Sequence, residues 1–517
     1  MEDISRWTTL LFVLLLCTCV RARAQVVVEP PQRPDREIRG VWMATVLNID
    51  YPQHPTPSAA TLRADFDAQL RRLRALGVNA IFLQVRPAGD ALYPSRYAPW
   101  SAYLTGTQGK PPVSGFDPLA HAVAAAHAVG VEVHAWVNPY RAAMTTDISG
   151  LAENHLYFQH NDWVHTYGGR MYLDPGLPAV RAHLGEVIDE LIANYDLDGV
   201  HFDDYFYPYP RAGEAFPDSL TFAAYGGSQQ LGDWRRANVN TFVAETHRRI
   251  KAAKPWVQFG ISPFGVWRNR SQDPVAGSDT RASVSSYDDL YGDALHWARA
   301  GTVDYLLPQL YWSMDYAPAA HRTLADWWVR NTPPGVDLLI GHAAYKVFDN
   351  AADSVWNDPQ EIPRQIANAR RLDRVDGSVY FSAKSLLYGR SELRQALTQN
   401  YPSTVLLPER NGPEPDAAIN LKVRRPKKTD AGNLVVWEVK DELPEEQLPH
   451  YYAIYRATEK DGPYTLVHRT PYGLTCRTLN FLDAFPEAVG KVKYRYRVVP
   501  LDRWHRPMVE VGDARVR

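Results

Sequence analysis

Along most of the chain the spacing of apolar residues switches back and forth between two periods. Short apolar, β-prone runs at 39–46, 80–87, 132–139, 258–266, 303–311, 337–343 and 377–384 read as strands, and the stretch 198–208 opens as one more. Between them, apolar residues recur every three or four positions at 61–76, 117–129, 179–195, 241–253, 289–300, 320–330, 360–372 and 391–399, which predicts helices. In the first of these Leu62, Phe66, Leu70 and Leu73 form one face and Gly77 is the stop signal. Eight strand–helix units over residues 36–400 predict an α/β protein built as a (β/α)8 barrel. A doubly wound sheet is the alternative, but no glycine-rich phosphate fingerprint follows any strand. The segment 139–178 is expected as a long loop. Past residue 400 the helical period disappears.

Residues 401–416 are rich in Pro, Glu and Asn, the composition of a linker. Runs at 434–438, 451–456, 464–467, 480–482 and 492–499 then predict a small all-β sandwich over 417–517, similar to fibronectin type III modules. Tyr451, Tyr452 and Tyr455 there fit either a sugar platform or the sandwich core.

At the other end, the apolar run 10–16 and Ala22-Arg-Ala24 before Gln25 predict a cleaved export signal over 1–24. The run is too short to span a bilayer, so a mature chain without a transmembrane segment is expected. Its destination would be the periplasm, the outer-membrane region or the medium. Leu16 and Thr18 are poor neighbours for lipid attachment to Cys17 or Cys19, and cleavage leaves Cys476 alone, with no internal disulfide or cysteine metal cluster. The formal net charge of −2 argues against nucleic acid or an acidic membrane surface as partner. The 15 Trp and 29 Tyr supply the aromatic faces on which sugars stack.

Chemistry concentrates in Asp198-Gly-Val-His-Phe-Asp-Asp-Tyr205, followed by Phe206 and Tyr207. Successive strand side chains point to opposite faces, which puts Asp203 with His201 and leaves Asp204 at the strand end. Barrel enzymes work at the C-terminal strand ends. Extending the alternation places Arg86, Trp136, Asn138, His201, Gln309, Tyr311, His342 and Lys384 in the lumen there, with Gln84, His134 and Tyr205 close by. Glycoside hydrolysis needs two carboxyl groups. Asp203 is the expected nucleophile, kept ionised by Arg86 or Lys384. Asp204 is favoured as proton donor over Asp90, Asp315 and Glu214, because the fifth strand (Gly260-Ile-Ser-Pro-Phe-Gly265) offers no acid. No metal or other cofactor is expected. His134 and His201 also read as satisfied core histidines, and Asp203 and Asp204 as loop caps.

Glu37-Ile-Arg-Gly-Val-Trp42, Gln84-Val-Arg-Pro87, Leu173-Asp-Pro175, Asp198-Gly-Val-His-Phe-Asp-Asp-Tyr205 and Pro308-Gln-Leu-Tyr311 recur in the order in which they stand in the glycosyl hydrolase-like 10 family, which this chain resembles over roughly 36–400. The resemblance implies a TIM barrel, export and hydrolysis of a glycan. One branch of that family acts on peptidoglycan strands stripped of their peptides, which makes cell-wall glycan the leading substrate. Asp198-Gly-x-x-x-Asp203 is also similar to the fourth-strand nucleophile motif of alpha-amylase-type enzymes, departing from it at His201. In the chitinase-type motif, Tyr205 stands where the catalytic Glu would be. Two other classes compete. One is a non-catalytic carbohydrate-binding barrel that lacks a proton donor. The other is a metal-dependent deacetylase or amidase using His134, His201 and His342.

Overall fold

The structure is a computed structural model that describes residues 35–350, 353–413, 419–444, 447–458, 463–473, 476–484 and 494–508. The expected export signal lies outside these residues.

Eight parallel strands close a barrel in simple sequence order. They are β1 (Ile38–Met43), β2 (Ala80–Arg86), β3 (Glu132–Val137), β4 (Gly199–Phe202), β5 (Gln258–Ile261), β6 (Tyr305–Leu306), β7 (Asp337–His342) and β8 (Gly377–Phe381), with β8 pairing back onto β1. The expected helices stand between them, among them Ala59–Ala75, Pro118–His127, Pro178–Asn194 and Leu231–Ala253. Ser58 caps the first and Asp117 the second, each accepting a backbone N–H that the helix itself leaves open.

Alternation divides the strand residues between two layers. Val41, Ile81, Val133, Val200, Phe259, Leu306 and Ile340 pack outward against the helices, while Trp42, Phe82, Trp136, Tyr305, Leu339 and Val379 fill the lumen. The large lumen rings need room, and glycine on the neighbouring strand supplies it. A Cβ on Gly260 would stand 2.1 Å from the Tyr305 ring, and one on Gly199 2.3 Å from His134.

The segment after β3 is more than a loop. It carries a three-stranded antiparallel sheet of Arg141–Ala143, Arg170–Leu173 and Val164–Tyr167, in that spatial order. The fully buried Asp174 anchors it, accepting hydrogen bonds from His165 and Thr221 at 2.9 and 2.5 Å.

Residues 401–413 of the region expected as a linker are packed under the barrel. Leu406 and Leu407 are buried in the lumen cluster, and Arg410 forks onto Glu132 at the start of β3 at 2.8 and 2.6 Å. The Pro and Glu around them read as spacer, but the embedded Val405-Leu-Leu407 seals the barrel floor. Beyond it, a four-stranded and a three-stranded sheet form the expected sandwich around Trp437, Tyr452, Ile454 and Tyr496. Tyr452 belongs to that core, and Tyr451 joins the cluster under the barrel, its hydroxyl 3.0 Å from His505.

Candidate active site

At the C-terminal ends of the strands a cleft of ≈ 390 Å³ opens over Asp203. Trp42, Trp136, Tyr311 and Phe381 line it from the strands, and Tyr205, Tyr209 and Tyr345 from the loops. Trp42 meets Tyr311 edge to face, with ring centroids 6.4 Å apart. The result is a floor of ring faces and edges with one carboxylate among them.

Asp203 is held from three sides. Asn138 donates to Oδ2 at 3.2 Å, Gln309 to Oδ1 at 3.3 Å, and the Asp204 backbone N–H to Oδ1 at 2.9 Å. The amides are themselves locked. The Gln84 side-chain oxygen accepts from the backbone of Thr45 and Val46, so its NH2 must donate to Asn138 Oδ1 (2.7 Å), which turns the Asn138 NH2 toward Asp203. Gln309 is fixed likewise by Ser262 O at 2.9 Å. Neutral donors thus reach both Asp203 oxygens and fix the plane of its carboxyl.

Asp204 sits behind its neighbour rather than in the cleft wall. It is buried, accepts from the Tyr209 hydroxyl at 2.5 Å, and lies within hydrogen-bonding reach of the Asp203 carboxyl. Burial first, and then the adjacent Asp203 charge, push its carboxyl well above the usual range. Asp204 is therefore the carboxyl of the pair that favours its protonated form. Two like charges this close cannot both persist in a buried site.

Below Asp203 a polar column runs down the barrel axis. Trp42 Nε1–H donates to His201 Nε2 at 3.2 Å, so the ring proton sits on Nδ1 and faces the Tyr305 oxygen at 3.1 Å. Tyr305 then donates to His134 Nδ1 (3.1 Å), and His134 Nε2–H points at Glu132 (3.4 Å). Burial, with His134 adding to it, holds His201 neutral, its pKa well below the ordinary histidine value. This column is the reading of His134 and His201 as satisfied core histidines.

Of the residues expected in the lumen, Trp136, Asn138, His201, Asp203, Gln309 and Tyr311 are there, and Tyr205 stands at the rim. Three are not. Arg86 follows a register shift between β2 and β3 that pairs it with the outward Val137, and it lies fully buried behind the barrel wall. His342 shares the outward face with Ile340 and bonds Gln365 and Ser378, because Leu339 and Gly341 occupy the lumen side of β7. Lys384 lies past the end of β8 in the helix Ala383–Tyr388, exposed, its backbone N–H tied to Asp50. Asp203 is therefore held by neutral donors, with neither Arg86 nor Lys384 at its side. With His342 outside, the three histidines do not converge on one point, and no cluster of three metal-ligating side chains exists among the described residues.

The other donor candidates stand away from the cleft wall. Asp90 is buried under its own loop, Asp315 pairs with Arg322 at 2.6 Å, and Glu214 bonds Gly168 N at 2.8 Å. Phe206 and Tyr207 turn into the core, leaving Tyr205 and Tyr209 as the aromatics that reach the cleft. Sequence reasoning missed Trp42, Tyr209, Arg141 and Arg170. Alternation through Ile38, Gly40 and Trp42 predicts the first, whereas nothing local marks the two arginines.

Sequence relatives cover most of this chain. A family model described as glycosyl hydrolase-like 10 matches residues 37–358. Glycosyl hydrolase YngK of Bacillus subtilis is 43% identical over 480 residues, 91% of this chain and 92% of that protein. Glycosyl hydrolase DigH of Escherichia coli K12 is 40% identical over 399 residues, 71% of this chain and 90% of its own. Among solved structures, the glycoside hydrolase domain of PgaB (BpsB) from Bordetella bronchiseptica covers 70% of this chain and 99% of its own, with a TM-score of 0.46 and 13% identity.

Proposed function

The chain belongs to the glycosyl hydrolase-like 10 family, and from that membership and the cleft over Asp203 we propose that it is an exported enzyme that cleaves glycosidic bonds of a bacterial glycan, above all peptidoglycan strands freed of their peptides. The observation that carries the chemistry is the Asp203–Asp204 pair, one carboxyl in an aromatic cleft and the other directly behind it, its proton retained by burial. The resemblance to the branch that acts on peptide-free strands supports the substrate. The run 10–16 supports export, into the periplasm or beyond.

Carboxyl groups that flank a glycosidic bond stand about 5–5.5 Å apart in retaining enzymes and about 6.5–9.5 Å apart in inverting ones. Asp203 and Asp204 are closer, within reach of one hydrogen bond, so they act as a unit on one side of the sugar. Asp203 meets the glycosidic oxygen and relays to it the one proton of the pair, held at rest by Asp204, so the leaving sugar departs as an alcohol. The attacking group then comes from the other side. Each sugar of a peptidoglycan strand carries a 2-acetamido oxygen able to attack its own anomeric carbon, the substrate-assisted route known for some hydrolases. Water later opens the cyclic intermediate at the anomeric carbon and returns a proton to the pair.

Release of soluble fragments from peptide-free peptidoglycan glycan tests this, with intact sacculi and starch as parallel substrates. The wild type should release fragments, and Asp203→Asn should lose at least about a hundredfold, the usual worth of acid–base catalysis, while folding normally. Glycan binding without release from any substrate would instead place the protein among non-catalytic carbohydrate-binding barrels.

A further inference from the structure

We propose that Arg141 and Arg170 form a subsite for a carboxylate carried by the glycan. Resting on the peptidoglycan reading above, that carboxylate is the lactyl group a muramic acid residue exposes once its peptide is removed.

Both arginines line the cleft that holds Asp203, and both come from the antiparallel insertion after β3, where Arg141 pairs across from Tyr172. Arg141 is 5% exposed, its guanidinium 4.6 Å over the Tyr205 ring. Its side-chain hydrogen bonding among the described residues is one long contact, Nη1 to Pro87 O at 3.4 Å, and its Nε is buried with no partner. No carboxylate of the described chain lies within ion-pair distance of either arginine, although seventeen other arginines among the described residues are so paired. Arg170 is exposed and carries no side-chain hydrogen bond among the described residues.

A guanidinium removed from water and left without an anion is costly. Here that cost falls at the mouth of a substrate cleft. Among the residues lining the cleft, Asp203 is the one acid against the two arginines. An arginine fork matches a carboxylate in two parallel hydrogen bonds, and Tyr205, stacked under Arg141, orients the fork. Converting the lactyl carboxylate to a peptide amide removes the charge and adds bulk. The subsite thus gives a physical reason for selecting strands whose peptides are gone.

The test compares peptide-free glycan strands with the same strands after their carboxylates are converted to methylamides, using wild type, Arg170→Gln and Arg141→Lys. Wild type should prefer the free carboxylate roughly tenfold or more in kcat/KM, the range of a hydrogen bond to a charged group. Arg170→Gln should erase most of that preference, chiefly by raising KM for the free-carboxylate strands. Arg141→Lys keeps the charge but loses the fork, and should fall between. Equal cleavage of both strands by wild type and Arg170→Gln overturns the subsite and leaves the hydrolase reading standing. If no strand is cleaved, binding of a peptide-free tetrasaccharide and its methylamide is measured by calorimetry. A carboxylate preference that Arg170→Gln abolishes upholds the subsite while the hydrolase reading falls, and no preference overturns both.

Discussion

At the scale of single residues, the proposed mechanism turns on one proton shared by two neighbouring carboxyls. Burial and the Asp203 charge keep Asp204 protonated above the usual carboxylate range, so the acid is lost as pH rises. The alkaline limb of the kcat/KM profile should therefore belong to Asp204. Asp204→Asn should be slower by about 10²–10³ and lack that limb, which a pH–rate series on both proteins checks. The same raised pKa affects stability. The folded state binds the Asp204 proton more tightly than the unfolded chain, so its contribution is complete at low pH and is lost as pH rises through the folded value. Melting temperatures followed across that window should fall less steeply for Asp204→Asn than for wild type. Asp203 was legible from its place at the end of an alternating strand. The placement of Asp204 behind it was not, because the chain leaves the strand at that residue and alternation stops there.

At the scale of elements, alternation placed the side chains of β3 and β4 and of the segment after β6, and failed at Arg86, His342 and Lys384. The register shift in β2 turned Arg86 outward, and β8 ended before Lys384, so counting by twos from inside each strand carried too far. On β7 the error was one of face. The lumen side holds Leu339 and Gly341, where Trp42 presses against the glycine, and a buried histidine on the opposite face satisfies itself on Gln365 and Ser378. Glycines opposite large rings are the complement of that packing. Gly260→Ala should cost about 2–3 kcal/mol or more, since a Cβ there overlaps the Tyr305 ring and overpacking alone costs that much. Tyr305→Val in the same chain should recover part of the loss, as chemical denaturation of the single and double variants would show.

At the scale of the whole molecule, the sandwich and the segment before it are part of the barrel. Glu132 at the foot of β3 receives Arg410 and His505 from the C-terminal region and His134 from the lumen, so the polar column under Asp203 ends on residues of the second module. Burial opposes the Glu132 charge, but Arg410 and the two histidines outweigh it and hold the carboxyl well below its ordinary value. The stability it contributes is present above the unfolded glutamate pKa and is lost as pH falls through the folded one. Glu132→Gln leaves Arg410 buried without a counter-charge and should cost about 3–5 kcal/mol in denaturant unfolding. A chain ending at residue 404 loses Leu406, Leu407 and Arg410 together, and should fail to unfold cooperatively. A soluble, cooperatively melting barrel from that truncation would show the floor to be dispensable.

The sequence by itself determined the eight strand–helix units, the sandwich and the carboxylate at the end of β4, because each rests on spacing between residues a few positions apart. Those spacings follow from the pleat of a strand and the turn of a helix, and they hold before any tertiary contact forms. The tertiary structure alone decided which face Arg86 and His342 take and how Asp204 turns. It also decided that Arg141 and Arg170 reach the cleft and that Arg410 closes the floor. Arg410 meets Glu132 across 278 residues of sequence, and no local period encodes a pairing of that span. Such contacts exist only once barrel closure has brought the strand ends and the insertion together.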